Sequence, residues 1–210
     1  MKHILQTIVN PASDTNFIKV SAVVLTLNEE AFIKDCLTHL QPHVDWLLVL
    51  DGGSTDKTID IAKALADHVI VKPFSGSFAE ERNYAQDRLP PECKWVLHCD
   101  ADERFNKEFL PNMKQIIATS NVHCFRFPRI NLDKTYMERL LNPKDHQVRL
   151  INRTYCYWVR QVHEIVWHKI ADKPADQFLV KELADCPIIH LKRPKNARKQ
   201  IMNRWKNLEG

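Results

Sequence analysis

Three nearly continuous apolar segments constrain the fold of this chain more than any other feature of its sequence. They read IKVSAVVLTL at residues 18–27, WLLVLD at 46–51 and KWVLHCD at 94–100, with a shorter one, HVIVKPF, at 68–74. Short apolar runs rich in β-branched side chains are typical of strands that are buried on both faces. Segments with helical periodicity alternate with them at 28–40, 52–67, 77–89 and 106–120. This alternation predicts a mostly parallel sheet with helices on both faces.

From about residue 121 the pattern changes to short segments in which apolar and polar residues alternate. They read HCFRFPRI at 123–130, HQVRLINR at 146–153, EIVWHKI at 164–170 and PIIHL at 187–191. Such alternation is typical of antiparallel strands. We expect an N-terminal extension at 1–17 and one α/β domain at 18–191. Within that domain, residues 18–120 form the parallel half and 121–191 a smaller mixed or antiparallel half.

The positive charge of the chain is concentrated at its C-terminal end. Residues 192–210 contain seven Lys or Arg and one acid, a net charge of +6, so residues 1–191 carry −2 of the overall +4. Four apolar residues of this segment fall on one helical stripe: Ala197, Ile201, Trp205 and Leu208. We predict a basic amphipathic helix at 192–210, which either docks on the domain or makes peripheral contact with an anionic membrane surface. A nucleic-acid partner is not predicted, because the basic segment offers Trp205 as its single stacking aromatic.

Cysteine usage and hydropathy predict a cytoplasmic chain. The six cysteines form no C-x-x-C pair, so we expect small buried side chains rather than zinc ligands. No apolar run approaches the roughly 18 residues of a membrane-spanning helix. The apolar stretch near the N-terminus is also too short for a secretory signal peptide. The basic segment at 192–210 keeps the inner face of the cytoplasmic membrane open as an alternative location.

Glycine is scarce, and its scarcity excludes the commonest phosphate-binding loops. The four glycines are Gly52, Gly53, Gly76 and Gly210, and the sequence contains neither G-x-G-x-x-G nor G-x-x-x-x-G-K-[ST]. Those loops hold phosphate with backbone N–H groups. The phosphates of a nucleotide bound to this chain would therefore need a metal ion.

Carboxylates end two of the predicted buried strands. Asp51 ends one, and the stretch WVLHCDADERF places Asp100, Asp102 and Glu103 at the end of another. In open α/β sheets, ligands bind at the carboxyl ends of the strands. Carboxylate oxygens select Mg²⁺ or Mn²⁺ over softer metals. The sequence therefore predicts a ligand site at this edge of the sheet, with a divalent cation bound by the Asp-x-Asp pair.

A structural interpretation of the same acids stays open. Asp100 and Asp102 could cap the helix that begins near Asn106, or pair with Arg104 and Lys107. Glu103 receives no predicted role, with Arg104 as its expected neutralising neighbour. His98 is predicted to face away from Asp100.

Four motifs in order resemble the family 2 glycosyltransferases. They are TLNEE at 26–30, DGGSTDKT at 51–58, SFAEERNYA at 77–85 and DADE at 100–103. The later segments KDHQVRLINR, VRQVHEIVWH and IIHLK resemble the branch of bacterial lipopolysaccharide-core β-glucosyltransferases and related peptide glucosyltransferases. The resemblance covers roughly residues 18–191. It implies the A-type glycosyltransferase fold, with a mostly parallel, Rossmann-like nucleotide-sugar-binding half fused to a smaller mixed or antiparallel acceptor half.

The resemblance also implies roles for individual residues. The nucleotide-sugar pocket is assigned to Thr26, Asn28, Glu29, Asp51, Arg82 and Asp100. Asp51 would accept a hydrogen bond from the imide N–H of a uracil-like base. Asp102 would bind Mn²⁺ or Mg²⁺, and His190 would complete the metal shell or touch a phosphate.

Each of these roles has a purely structural alternative. Asn28 and Glu29 could cap the next helix, and Asp51 could form an Asx turn with the residues after it. Arg82 could pair with an acid of its own helix, Glu80, Glu81 or Asp87, on a solvated face. His190 could be a buried histidine with satisfied hydrogen bonds.

The resemblance also implies that Glu164 of the VHE sequence is the catalytic base. An inverting transfer needs a carboxylate near the acceptor hydroxyl to take its proton. Asp145, in the polar loop predicted from NPKDHQ, is the second candidate and Asp133 the third. The structural alternative for Glu164 is pairing with Arg160 or Lys169.

Together these observations predict a metal-dependent, inverting glycosyltransferase. It would move a sugar, with glucose as the expected one, from a UDP-sugar to the hydroxyl of a glycan, lipid-linked or peptide acceptor. Synthesis of bacterial cell-surface glycan or lipopolysaccharide is the expected setting. The alternatives are a non-catalytic nucleotide-sugar-binding protein and a nucleotidyltransferase. The glycine-free, acidic TLNEE loop argues against the nucleotidyltransferase.

Overall fold

The structure is a computed structural model that describes residues 15–133, 139–177 and 179–192. Within these ranges it leaves undescribed the side chains at 16, 132–133, 139–144, 176 and 192. The predicted basic helix at 192–210 lies outside the described residues except for the backbone of Lys192. Of the predicted extension at 1–17 only Thr15–Phe17 is described, as a 3₁₀ turn. The side chain of Asp133, the third candidate base, also lies outside the described part.

The first half of the chain alternates strands and helices as predicted. Its elements are β1 (Val20–Thr26), α1 (Ile33–Leu40), β2 (Trp46–Asp51), α2 (Thr58–Leu65), β3 (His68–Val71), α3 (Phe78–Gln86), β4 (Trp95–Asp100), β5 (Glu103–Arg104) and α4 (Phe109–Ala118). The strands β1 to β4 lie within the predicted apolar segments, and the two-residue strand β5 was not predicted. The helix α1 begins several residues later than predicted, because the polar residues before it belong to a loop. The segment 52–67 is a turn followed by a helix, α2, as predicted.

The second half consists mainly of strands. Its elements are β6 (Cys124–Asp133), β7 (Arg139–Asn152), β8 (Cys156–Val159), β9 (Ile165–His168), β10 (Lys173–Pro174), β11 (Val180–Glu182) and β12 (Ile188–Lys192). The polar loop predicted around Asp145 is wrong, because β7 runs through it. β6 pairs with β7 from Leu132↔Arg139 to Cys124↔Ile151, with bulges. A neighbouring strand that supplies backbone hydrogen bonds can therefore keep a polar segment extended.

Both halves contribute to one sheet. Among the described residues its strand order is β3-β2-β1-β4-β7-β6-β12-β5, and β11 also pairs with β6. The strands β3, β2, β1 and β4 are parallel, and β7 is antiparallel to both β4 and β6. β12 lies parallel to β6, so the later strands are mixed rather than purely antiparallel. β8, β9 and β10 form a separate antiparallel sheet.

Alternate residues of the central strands enter two apolar cores. On β1, Ala22 and Val24 face one core and Val23 faces the other, as the period of two requires. α1, α2 and α4 cover the first face of the sheet, and α3 with the second sheet covers the other. The described helices include none with the length and apolar character that a membrane crossing needs. Five of the six cysteines are buried, all six are free thiols, and this agrees with the prediction that they fill the core.

Candidate active site

A cleft of about 570 Å³ opens where β1, β2 and β4 end. Eight of the predicted site residues line it: Thr26, Asn28, Glu29, Arg82, Asp100, Asp102, Glu164 and His190. The other two, Asp51 and Asp145, lie behind lining residues. The cleft thus combines side chains from β1 and β12, the first and last of the described strands in chain order.

The loops after β1 and β2 are locked together by reciprocal hydrogen bonds. The N–H of Asn28 donates to Ser54 Oγ at 2.7 Å, and the N–H of Thr55 donates to Asn28 Oδ1 at 2.8 Å. The N–H of Glu29 donates to Thr58 Oγ1 at 2.7 Å. Asn28 has a φ of 54°, a left-handed conformation that asparagine tolerates better than most residues. The helix α1 begins at Ile33 without a side-chain cap, so the alternative in which Asn28 or Glu29 caps it is wrong. Both residues line the cleft instead.

Asp51 is fully buried beneath the second of these loops. Its Oδ1 accepts hydrogen bonds from the N–H groups of Gly53 and Ser54, at 2.8 and 2.6 Å. Its Oδ2 accepts from Ser54 Oγ at 2.6 Å. This is the turn-forming role that the sequence left open. Recognition of a uracil-like base by Asp51 stays a prediction.

Arg82 connects two acids of the cleft. It lies on α3, is 1% exposed, and donates from Nε to Glu164 Oε1 at 3.0 Å and from Nη2 to Asp100 Oδ1 at 2.9 Å. The alternative in which Arg82 pairs with an acid of its own helix is therefore wrong. Glu81 accepts instead from Lys72 Nζ at 2.6 Å. Arg82 joins the predicted base to the first acid of the Asp-x-Asp motif.

An indole and an imidazole support Arg82 from behind. The guanidinium lies 5.1 Å from the ring centre of Trp158, whose Nε1–H donates to His98 Nε2 at 3.0 Å. Burial, together with the positive charges of Arg82 and Arg149, holds the pKa of His98 well below its usual value. The prediction that His98 faces away from Asp100 is wrong, since residues two apart on a strand share a face.

Asp100 lies between two buried arginines. Its Oδ2 accepts from Arg149 Nη2 at 3.0 Å, opposite the bond from Arg82. Arg149 also makes a bidentate pair with Glu103, from Nε to Oε2 and from Nη2 to Oε1, both at 2.8 Å. Burial opposes ionisation of Asp100, but the two guanidinium groups hold its pKa well below the usual range.

The predicted structural partners of Asp100, Asp102 and Glu103 are wrong. Arg104 does not pair with them: it donates to the backbone carbonyls of Ala101, Glu103 and Phe32, at 2.9, 2.7 and 2.9 Å. The helix α4 begins at Phe109 without a side-chain cap. Glu103 is neutralised by an arginine 46 positions further along the chain rather than by its neighbour.

Asp102 faces His190 across the cleft floor. His190 Nε2 lies 3.1 Å from Asp102 Oδ2, and His190 Nδ1 lies 2.7 Å from Asn131 Oδ1. Asn131 Nδ2 donates to Asp145 at 3.2 Å, which assigns its amide oxygen to the histidine. His190 Nδ1 therefore carries a proton. Nε2 and the carboxylate oxygen of Asp102 lie close enough to bind one metal ion together.

These donors fit a divalent cation that is shared with a substrate. The described residues include no cluster of three His, Cys, Asp or Glu that could enclose a metal ion by themselves. Mg²⁺ and Mn²⁺ commonly take one or two protein ligands and complete their shells with phosphate oxygens and water. Asp102 and His190 could supply two such ligands. Asp100 is occupied on both oxygens by arginines, so Asp102 is the acid of the motif that is available.

Glu164 stands at the end of an exposed loop, residues 160–164. Arg160 and His163 in this loop have φ values of 75° and 53°, so the backbone adopts a left-handed conformation twice just before Glu164. Arg82 occupies one carboxylate oxygen, and among the described residues Oε2 has no hydrogen-bond partner. The alternative pairing with Lys169 is wrong, because Lys169 donates to a backbone carbonyl at 2.7 Å.

Asp145 is more fully engaged than Glu164. Arg129 Nε and Asn131 Nδ2 donate to its Oδ2 at 2.9 and 3.2 Å, and Gln147 Nε2 donates to its Oδ1 at 3.0 Å. Burial opposes ionisation, but these hydrogen bonds and the charge of Arg129 lower the pKa of Asp145. An acid held by three donors is poorly placed to take a proton from a substrate.

Sequence reasoning missed Arg149, Glu103 and Asn131 as site residues. A usable signal existed for Arg149, since it interrupts the apolar positions of HQVRLINR, where a charge would be buried. Such a charge requires a partner. Nothing in the local sequence identified that partner as Glu103.

Known proteins show clear similarity to this chain. The family model described as glycosyl transferase family 2 matches residues 21–172. An uncharacterized glycosyltransferase of Rickettsia typhi is 29% identical over 175 residues, which cover 79% of this chain and 59% of the relative. The lipopolysaccharide core biosynthesis glycosyltransferase LpsC of Rhizobium meliloti is 27% identical over 107 residues, 49% of this chain and 38% of the relative. The chain spans about three fifths of the length of the Rickettsia relatives.

Solved structures share the fold. TarS of S. aureus has a TM-score of 0.57 at 17% identity, with 87% of this chain and 38% of TarS covered. Glucosyl-3-phosphoglycerate synthase of Mycobacterium tuberculosis has a TM-score of 0.58 at 17% identity, with 95% and 81% covered. The predicted A-type fold is confirmed. With a family model that matches most of its length, the chain belongs to glycosyl transferase family 2.

Proposed function

We propose that this chain transfers a sugar from a UDP-sugar to an acceptor hydroxyl, with inversion at the anomeric carbon and dependence on Mn²⁺ or Mg²⁺. The observation that carries the proposal is the arrangement around Arg82. This buried arginine bonds Glu164, the candidate base with an open oxygen, and Asp100, which is two residues from Asp102. One cleft thus combines a candidate proton acceptor with a candidate metal pair.

The donor-binding part of the proposal rests on the interlocked loops and the acids at the strand ends. Thr26, Asn28 and Glu29 line the cleft beside Asp100. A pocket of this kind at the carboxyl ends of parallel strands suits a nucleotide. UDP and glucose are the proposed nucleotide and sugar. The M. tuberculosis synthase that shares the fold is described in complex with Mn²⁺, UDP and glucosyl-3-phosphoglycerate.

Asp102 and His190 would hold the metal ion. When bound, the ion supplies positive charge that offsets the negative charge developing on the departing diphosphate. Asn131 keeps the proton of His190 on Nδ1 and so directs the Nε2 lone pair toward Asp102.

Glu164 would act as the base. Its Oε2 takes the proton of the acceptor hydroxyl while that oxygen forms a bond to the anomeric carbon. The bond from the same carbon to the diphosphate oxygen breaks, and UDP leaves with the electron pair. One displacement inverts the configuration, so an α-linked donor sugar yields a β-linkage. Arg82 holds Glu164 at the cleft and leaves Oε2 open.

A glycan, lipid-linked or peptide acceptor and a setting in cell-surface glycan or lipopolysaccharide synthesis complete the proposal. The similarity to LpsC, a protein of lipopolysaccharide core biosynthesis, supports this setting. Peripheral contact of residues 192–210 with the inner face of the cytoplasmic membrane belongs to the same proposal.

The test is release of UDP from a panel of UDP-sugars, measured with Mn²⁺ and with EDTA, followed by NMR of any product to identify the anomeric linkage. We expect Mn²⁺-dependent release, fastest with UDP-glucose, and a β-linked product. Tight UDP-sugar binding without release under any condition would favour the non-catalytic binding protein. Binding of nucleoside triphosphates but not of UDP-sugars would favour a nucleotidyltransferase.

A further inference from the structure

The turn between β4 and β5, residues 101–102, is clamped by the buried side chain of Glu103. Glu103 is 0% exposed, and its Oε2 accepts the backbone N–H of Asp100 at 3.2 Å. On the other side, Glu103 of β5 pairs with His190 of β12. The N–H of Leu191 donates to the carbonyl of Asp102 at 2.8 Å. Glu103 therefore lies where the turn meets β12, and this contact places Asp102 beside His190.

Arg149 fixes this clamp to the neighbouring strand. It is 3% exposed on β7, which pairs with β4. Its bidentate contact to Glu103 sets the orientation of that carboxylate, because a planar guanidinium and a carboxylate match in only a few geometries. The same Nη2 also bonds Asp100 at 3.0 Å. One arginine thus holds both acids that flank the turn.

Electrostatics makes this arrangement interdependent. Glu103 and Asp100 repel each other, and burial of either acid without a cation is costly. Arg149 lies between them, so among the described residues its removal would leave Asp100 with only its ion pair to Arg82, and Glu103 with only the longer ion pair to Arg129 at 3.9 Å. The freed Oδ2 of Asp100 would then compete with Asp102 for a cation, and the turn would lose its orientation relative to His190.

We infer that Arg149 and Glu103 are a positioning pair for donor and metal binding, which holds Asp100 in place and presents Asp102 to His190. Neither side chain binds the metal ion. The inference rests on the proposed function, since it concerns the cation site of that reaction. A merely structural pair would stabilise the fold without any specific effect on the cation.

The chain offers a matched control in Arg153, which follows the same strand. Arg153 donates to the backbone carbonyls of Gln86, Leu89, Pro90 and Cys93, away from the cleft. Arg149→Lys and Arg153→Lys are therefore the same chemical change, made in one arginine that holds the turn and in one that does not. Glu103→Gln removes the charge of the clamp with almost no change of volume.

The experiment measures Mn²⁺ binding in the presence of UDP, from the loss of the free-Mn²⁺ EPR signal, together with Mn²⁺ half-saturation and kcat in the transfer assay. For Arg149→Lys and Glu103→Gln we expect Mn²⁺ affinity to fall about 10- to 100-fold. Saturating Mn²⁺ should restore most of kcat. Arg153→Lys should lower the Tm and leave Mn²⁺ affinity unchanged. Equal Mn²⁺ affinity in all three variants and the unmodified chain would overturn the inference.

Hydrogen exchange separates this inference from the proposed function. In Arg149→Lys, the amides of residues 101–104 should exchange faster than in the unmodified chain, while Arg153→Lys leaves them unchanged. Should the unmodified chain neither bind UDP with Mn²⁺ nor release it from any donor, the proposed function fails, and the exchange data still decide whether the pair holds the turn. Should Arg149→Lys not fold, Glu103→Gln carries both measurements. Unchanged exchange at 101–104 in a folded variant also overturns the inference.

Discussion

Arg149 and Arg153 lie four positions apart and have different partners at the two ends of one sheet. At the cleft end, the partners of Arg149 among the described residues are carboxylates, those of Asp100 and Glu103. At the other end, Arg153 bonds backbone carbonyls after α3, including those of Pro90 at 2.6 Å and Cys93 at 2.8 Å. The same type of side chain thus pairs with acids at one end of the sheet and with the carbonyls of a helix end and loop at the other.

The difference shows where this fold concentrates its charge. At the cleft, Arg82 and Arg149 are buried among acids whose mutual repulsion would otherwise open the site. At the opposite end a histidine pair lies with His123 Nδ1 2.8 Å from His168 Nε2, and burial lowers the pKa of each ring. Substitutions at the cleft end should therefore change binding and chemistry, and those at the opposite end should change stability.

The largest expected effect at the cleft end belongs to Glu164→Gln. The variant keeps an acceptor for Arg82 but cannot take a proton, so kcat should fall by about 10²–10⁴ with UDP and Mn²⁺ binding nearly unchanged. Steady-state kinetics and calorimetry with UDP measure the two quantities. Asp145→Asn is the control, and it should lower kcat far less. The reverse ranking of the two variants would transfer the role of base to Asp145.

Asp102→Asn should come next. The amide keeps the shape of the side chain but loses the charge that faces His190, so UDP affinity with Mn²⁺ should fall, and kcat should fall on the order of 10²–10³. UDP affinity in EDTA should stay the same, which separates loss of the metal from damage to the nucleotide pocket. An unchanged response to Mn²⁺ would contradict the assignment of Asp102 as a ligand.

Asn131→Leu tests the support behind His190. Loss of the amide leaves the Nδ1 proton without its acceptor and frees the ring to rotate, so Mn²⁺ affinity should fall about 10- to 100-fold. Titration of Mn²⁺ in the presence of UDP provides the measurement. Asn131→Asp, which keeps an acceptor for the Nδ1 proton, should retain more affinity than Asn131→Leu. Equal affinities would show that the orientation of His190 does not depend on this contact.

At the opposite end of the sheet, Arg153→Met should lower the free energy of unfolding without changing binding in the cleft. Several buried carbonyls would lose their donor, at a cost of about 1–3 kcal/mol of unfolding free energy. Urea unfolding measures the loss, and Mn²⁺ affinity with UDP should stay at its original value. A change in Mn²⁺ affinity would remove the distinction between the two ends.

The smallest effect concerns pH and His98. Its pKa is well below the usual value in the folded chain, because it is fully buried near Arg82 and Arg149. Below about pH 6.5, the pKa of histidine in the unfolded chain, the unfolded chain binds a proton that the folded chain does not. The free energy of unfolding therefore decreases as the pH is lowered, by up to about 1.4 kcal/mol per pH unit. His98→Gln keeps an acceptor for Trp158 and does not titrate. Its unfolding free energy should vary less between pH 6.5 and pH 5 than that of the unmodified chain.

The local pattern was sufficient for the central strands and for the edge at which ligands bind. Apolar runs such as VSAVVLT and WLLVLD can be buried only between two layers, so they predicted β1 and β2 closely. Acids at strand ends then predicted the location of the cleft. The loop expected around Asp145 failed for the opposite reason, since pairing with β6 kept a polar segment extended.

The sequence by itself therefore determined the layered parallel sheet, the family motifs and most of the residues that line the cleft. Only the tertiary structure decided which charges pair. Arg82 meets Glu164 across 82 positions, Arg149 meets Glu103 across 46, and His190 meets Asp102 across 88. The burial of apolar side chains can be predicted from local periodicity, because the hydrophobic effect acts on them wherever they lie in the chain. An ion pair depends on distance and direction between strands, and these exist only once the sheet has formed.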